Sequence, residues 1–141
     1  MRIAADANVL LSAILGGRAR LILESSQIEE ILTTESVVAG VREYAVVLAK
    51  KRNLPADILL LMASLPVTVL QPGAYERSLS EARRRIGRRD PDDVEILALA
   101  IQLRILLWSN DDDFEEAEIQ WHTTKELLHE LGLFREGRPR Q

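Results

Sequence analysis

Short apolar runs alternate with helical segments along this chain, and two of those runs lead into aspartates. Arg2–Ala5 runs directly into Asp6, and Ile105–Trp108 runs through Ser109 and Asn110 into Asp111. Strands separated by helices must be joined by crossovers, which makes the sheet parallel and covers both of its faces. Sheets of that kind bind ligands beyond the carboxyl ends of their strands. Asp6 and Asp111 therefore stand where a site is expected.

The remaining segments fit the same alternation. Asn8–Leu15 reads as a helix broken by Gly16 and Gly17, Ala19–Ser26 continues it, and Glu30–Thr33 is a short strand. Thr34 is an N-cap for a helix from Glu35 to Arg52, and Pro55 opens another that ends before Pro66. Val67–Leu70 is a short strand, and Tyr75–Ile86 is a helix stopped by Gly87. Asp90-Pro91-Asp92-Asp93 opens a helix whose Ile96, Leu97, Ala100, Ile101 and Leu103 make one apolar face. Ile119–His122 is the last strand and Thr124–Leu131 the last helix.

A length of 141 residues is one domain, expected over 1–134, with a flexible Arg-, Gly- and Pro-containing tail over 135–141. Aromatic residues are only 4% against 47% hydrophobic, so the core is built from Leu, Ile, Val and Ala. That favours helices on a parallel sheet over a sandwich of sheets. The chain has no cysteine, which excludes disulfides and thiolate metal sites. Asp6 and Asn8 interrupt any signal-peptide core, and the apolar stretch Ile58–Leu65 is too short to span a bilayer. A cytoplasmic protein with no membrane association is expected.

The net charge of −4 argues against a simple electrostatic nucleic-acid binder. The charge is not evenly spread, however. Arg83, Arg84, Arg85, Arg88 and Arg89 immediately precede the acidic run Asp90, Asp92 and Asp93. A basic lobe beside an acidic pocket suits an enzyme that grips a phosphate backbone, although a solvated helix face explains those arginines equally well.

Asp6 by itself reads as a helix cap as readily as a ligand, with Asn8 and Ser12 one turn apart behind it. One acidic residue in a first turn satisfies a helix dipole, and Asp90, Asp92 and Asp93 exceed that need. Asp93 lies at the edge of the apolar face, so it is expected to point inward, with Asp90 and Asp92 at the rim. In Asp111-Asp112-Asp113, Asp111 is nearest the strand end, Asp112 is expected in solvent, and Asp113 precedes an anchoring Phe114. Carboxylates gathered in one pocket raise each other's pKa, and a divalent cation removes that penalty. Oxygen ligands without cysteine suit Mg2+ or Mn2+, and such sites support hydrolysis of phosphate esters. His122 and His129 have no partner at the spacing of a metal site or a triad.

The ordered set Asp6-Ala7-Asn8 with Ser12, Asp90-Pro91-Asp92-Asp93 with Ile96–Ala100, and Ser109–Phe114 resembles the motifs of PIN domains. The likeness is to the VapC-related toxin components of prokaryotic toxin–antitoxin systems, and it covers essentially the whole chain, including the Trp121-His122-Thr123-Thr124 segment. It implies a PIN-like three-layer α/β/α sandwich with a mainly parallel sheet, a Mg2+- or Mn2+-dependent endoribonuclease acting on RNA, a possible antitoxin partner, and a homodimer. It makes Asp6, Asp93 and Asp111 acidic ligands, with Glu43 as a further catalytic carboxylate and Asn8, Ser12, Asp90, Ser109 and Asp113 in support. On a helical wheel of ~100° per residue, Glu43 lies nearly opposite Val37, Val41, Tyr44, Ala45 and Leu48. Gly40, Val46 and Val47 around it would allow a second buried flank. The alternative is a non-catalytic PIN-fold module that binds RNA or a protein, which an outward Glu43 favours. An exposed apolar surface on the Ile58–Leu65 helix would suit the dimer contact. Receiver and haloacid-dehalogenase-like folds fit poorly, because Val67–Leu70 is followed by no phosphoacceptor aspartate and Asp6-Ala7-Asn8 is not Asp-x-Asp.

Overall fold

The computed structural model describes residues 1–51, 64–87 and 91–133. The helix expected from Pro55, the tail, and Arg88, Arg89 and Asp90 lie outside those residues. The strands are β1 (Arg2–Ala5), β2 (Glu30–Thr34), β3 (Thr68–Leu70), β4 (Leu106–Trp108) and β5 (Trp121–His122). The helices are α1 (Ala7–Ile14), α2 (Ala19–Leu23), α3 (Glu35–Lys51), α4 (Leu79–Ile86), α5 (Pro91–Leu103) and α6 (Thr124–Glu130). Among the described residues, no helix is long and apolar enough to cross a membrane.

All five strands pair in parallel, in the order β3-β2-β1-β4-β5. The chain winds outward from β1 to β3, then returns to lay β4 on the other side of β1. The right-handed crossovers of parallel strands then put helices on both faces, giving an α/β/α sandwich. One group contains α1, which packs on α2 and α3; the other contains α5, which packs on β1, β2 and α4. The winding direction reverses between β1 and β4, and in open parallel sheets that reversal leaves a crevice at the strands' carboxyl ends. Ile3, Ala4 and Ala5 are fully buried. A central strand covered on both faces reads as a continuous apolar run, as this one does.

Local sequence explains the element ends. The Thr34 hydroxyl accepts from the Val37 amide at 3.1 Å and so caps α3. Thr123 and Glu126 form a reciprocal capping box at the start of α6. Gly16 closes α1 at φ +88°, and a Cβ on Gly17 would lie 2.7 Å from Ser12 Oγ and 3.1 Å from Ser12 O. Replacing Gly16 by alanine is expected to cost about 1 kcal/mol, because that backbone conformation penalises any Cβ. Urea unfolding of Gly16→Ala checks this, and an unchanged midpoint would contradict it.

Two expectations need correction. The segment from Tyr75 is not one helix: 3-10 turns at Pro72–Ala74 and Glu76–Ser78 precede α4. Tyr75 has φ −139° and ψ 3°, outside the helical region. Its ring is buried and its hydroxyl donates to Glu95 on α5, so tertiary burial overrides local helix propensity. The middle of α5 has no single apolar face either, since Ile96, Leu97, Ala98, Leu99 and Ala100 are all fully buried. The sheet covers one side of that helix, and α4 with the 3-10 turns covers the other.

Candidate active site

β1 ends where Asp6 begins, and the Asp6 amide donates to Trp108 O at 3.2 Å, joining the ends of the two strands across the switch point. Asp6 is also the N-cap of α1, with Oδ1 accepting from the amides of Asn8 (3.1 Å) and Val9 (3.4 Å). Its Oδ2 accepts from Asn8 Nδ2 at 3.3 Å and from the Ser109 hydroxyl. The cap and ligand readings of Asp6 therefore do not compete. Asp6 caps the helix from a buried position, only 4% exposed.

That burial dominates its ionisation. Loss of solvent pushes the Asp6 carboxyl up to about 7, with the Asp93 charge adding to the rise and hydrogen bonds from Ser109, Val9 and Asn8 opposing it. The Asp93 contribution brings the first turn of α5 to Asp6. Asp93 is half-buried there, as its position at the edge of the apolar stretch predicts.

The third aspartate is held from β4. Ser109 is fully buried, and its hydroxyl accepts from the Asp111 amide at 3.0 Å and from Asn8 Nδ2 at 3.4 Å while donating to Asp6. One hydroxyl thus ties the first acidic position to the last. Asp111 caps the 3-10 turn Asp112–Ala117 by accepting from the Asp113 amide at 2.9 Å. Carboxylate oxygens of Asp111, Asp112 and Asp113 lie within 4.8 Å of one another, with Asp111 half-buried and the other two exposed. Phe114 is buried, as expected of the turn's anchor. An all-oxygen donor set of this kind, with a buried carboxyl whose charge is otherwise penalised, fits a hard divalent cation.

Ser109→Ala removes the donor to Asp6 and the acceptor for Asp111 at once. The Asp6 carboxyl is expected to titrate higher than in the wild type, with Mn2+ affinity near pH 7 about tenfold weaker. A carboxyl NMR titration reads the first effect, and an unchanged Asp6 midpoint would contradict the assignment.

Several supporting groups carried no signal of their own in the sequence. The Asn110 amide donates to Asn8 Oδ1 at 3.1 Å, and Asn110 Oδ1 accepts from the Thr124 amide at 2.8 Å. Trp121 Nε1 donates to Ser109 O at 2.9 Å, and Trp108 Nε1 to Thr124 Oγ1 at 3.0 Å. The start of α6 and the two tryptophans thus brace the strand end that carries Asp111. His122 lies between two carboxylates of α6, 3.5 Å from Glu130 and 3.9 Å from Glu126.

The other expected site residues stand on α1, α3 and α4. Glu43 is exposed, on the side of α3 away from the core residues Val37, Val41, Ala45 and Leu48. The second buried flank does not form, since Val47 is 56% exposed, and Tyr44, expected on the apolar face, is 54% exposed. Ser12 is half-buried against Gly17. On α4, Arg84 and Arg85 pair with Glu81, which holds the Glu81 carboxyl below its ordinary range, and Arg83 is exposed.

A parallel sheet with acidic residues converging at its switch point defines an α/β protein with a candidate cation site. The sequence model of the PIN domain matches residues 4–132. The chain belongs to the PIN-domain family. A search of curated proteins finds no match. Among solved structures, it resembles a chain of VapBC2 from Rickettsia felis, bound there to a promoter DNA fragment. That likeness has a TM-score of 0.64 at 18% identity and covers 87% of this chain and 98% of the other. It resembles FitAcB from Neisseria gonorrhoeae with a TM-score of 0.56 at 25% identity, covering 87% and 98%. VapBC-1 from nontypeable Haemophilus influenzae gives 0.56 at 16% identity, covering 89% and 99%.

Proposed function

We propose that this protein is a metal-dependent endoribonuclease whose site is built from Asp6, Asp93 and Asp111, and that it acts as the toxin of a toxin–antitoxin pair. The Asp93 charge felt at Asp6 and the Ser109 hydroxyl that joins the Asp6 carboxylate to the Asp111 amide carry this reading. Those three carboxylates would hold Mg2+ or Mn2+. A divalent ion, when bound, supplies activation of water and stabilisation of charge at a phosphodiester.

The chain's own residues do the rest. Burial pushes the Asp6 carboxyl up to about 7, so near neutral pH a cation competes with a proton for it. Asn8 and Ser109 hold the Asp6 carboxylate in one orientation. Asp113 extends the acidic rim. Arg83, exposed on α4, would meet a phosphate, and Arg88, Arg89 and Asp90 follow it in the chain. The antitoxin partner rests on the likeness to VapBC and FitAcB chains, and the homodimer on the family resemblance alone. Cytoplasmic location follows from the same reading.

A second reading is a PIN-fold module that binds RNA or a protein without cleaving it, which the outward, exposed Glu43 on α3 favours. Incubating a mixed RNA pool with Mn2+ separates the two. The nuclease reading predicts cleavage by the wild type, about 100-fold or more slowed in Asp93→Asn, and little changed in Glu43→Gln if three aspartates suffice. Equal cleavage by wild type and Asp93→Asn would sink the assignment. RNA binding without cleavage would establish the module instead.

A further inference from the structure

The three consecutive arginines of α4 do not share one environment. Arg83 is exposed, and Arg84 pairs with Glu81 at the surface. The Arg85 side chain is only 23% exposed. Its Nε donates to Glu81 Oε2 at 2.8 Å, and its Nη1 donates to two main-chain carbonyls, Ala117 O at 3.2 Å and Glu118 O at 2.9 Å. Those carbonyls close the 3-10 turn that opens with Asp112 and Asp113. A guanidinium bridging the last carbonyls of a turn satisfies acceptors that have no partner within the turn.

The turn needs such a hold. Glu118 sits in the left-handed region at φ 54° and ψ 44°, where the Cβ of a non-glycine residue is crowded. At the other end, three like charges crowd within 4.8 Å. Strain at that left-handed residue favours opening. Buried Phe114 and Ala117 fix the apolar side of the turn, and Ser109 fixes its start. Arg85 meets its far end.

We propose that Arg85, aimed by Glu81, is a positioning residue for the acidic turn rather than a contact to phosphate. By fixing where the turn ends, it fixes where Asp111 and Asp113 begin it. This rests on the reading that the turn belongs to the active site, so the test has one readout that needs no metal.

Amide hydrogen exchange is measured on the metal-free protein for wild type, Arg85→Gln, Arg85→Lys and Arg83→Gln. The Phe114 amide, which donates to Asp111 O at 3.3 Å, reports the turn. Arg85→Gln is expected to speed its exchange about tenfold, while β1 amides keep their protection. Arg85→Lys keeps the charge but not the fork, so it should fall between the two, and Arg83→Gln should match wild type. Mn2+ affinity should weaken about fivefold in Arg85→Gln, with RNA affinity in EDTA unchanged. Glu81→Gln, which leaves Arg85 in place but unaimed, should speed Phe114 exchange about threefold and serves if Arg85→Gln fails to fold. Unchanged Phe114 exchange overturns the proposal, and so does a loss of RNA affinity in EDTA equal to that of Arg83→Gln. Failure of the wild type to bind Mn2+ would remove the metal reading alone, since the exchange data still decide what Arg85 does.

Discussion

Asp6→Asn is expected to make the protein more stable and inactive at once. The folded carboxyl is pushed up to about 7 from an ordinary value of 3.8. Between those two values the folded state holds a proton that the unfolded state has released. The stabilisation from that proton is fully present below the unfolded value and is lost as pH rises through the folded one. Asparagine cannot ionise, and it remains a good helix N-cap. In EDTA at pH 8 the variant should exceed wild type by on the order of 2–4 kcal/mol, with the difference largely gone at pH 4. Thermal melts at the two pH values read it, as a gap of about 5–10 °C at the higher one. Mn2+ should stabilise the wild type and close the gap, because the cation takes the proton's place. Activity should fall about 1000-fold. A variant that gains nothing at pH 8 would show that the Asp6 environment tolerates a bare charge, and the argument for a cation there would lose its basis.

The largest loss of stability among site-forming residues is expected at Phe114. Its side chain is 1% exposed and lies within the acidic turn. Phe114→Ala removes a buried ring and leaves a cavity, which costs about 3–5 kcal/mol. Urea unfolding should show that loss with an unchanged m-value, and the melting temperature should fall by about 10 °C. The metal-free turn should also lose protection beyond the global change, because Phe114 is what opposes repulsion among the three aspartates. A loss under 1 kcal/mol would mean that the turn is not anchored through its ring.

Much of this site was legible because strand ends can be read locally. A short apolar run that stops at an aspartate announces both its strand and a carboxylate at the strand's end, as Asp6 and Asp111 show. Asp93 was legible from the edge of an apolar helix. The wheel also set Glu43 opposite the core face of α3, where it is now exposed, although family likeness argued for it as a ligand. The role of Ser109 as a bridge was not legible, because its partners Asp6 and Asn8 lie some hundred residues away in the chain. The Arg85 contacts were not legible for a related reason: a run of arginines looks uniform until one of them finds carbonyls 32 and 33 residues later. The break at Tyr75 likewise came from a tertiary contact, its hydroxyl on Glu95, rather than from a local stop signal.

Anomalous diffraction from crystals soaked in Mn2+ would test the central claim most directly. A peak bounded by the carboxylates of Asp6, Asp93 and Asp111 is predicted, and it should vanish in crystals of Asp6→Asn. A peak held only by the exposed Asp112 and Asp113, or one that persists unchanged in Asp6→Asn, would contradict it.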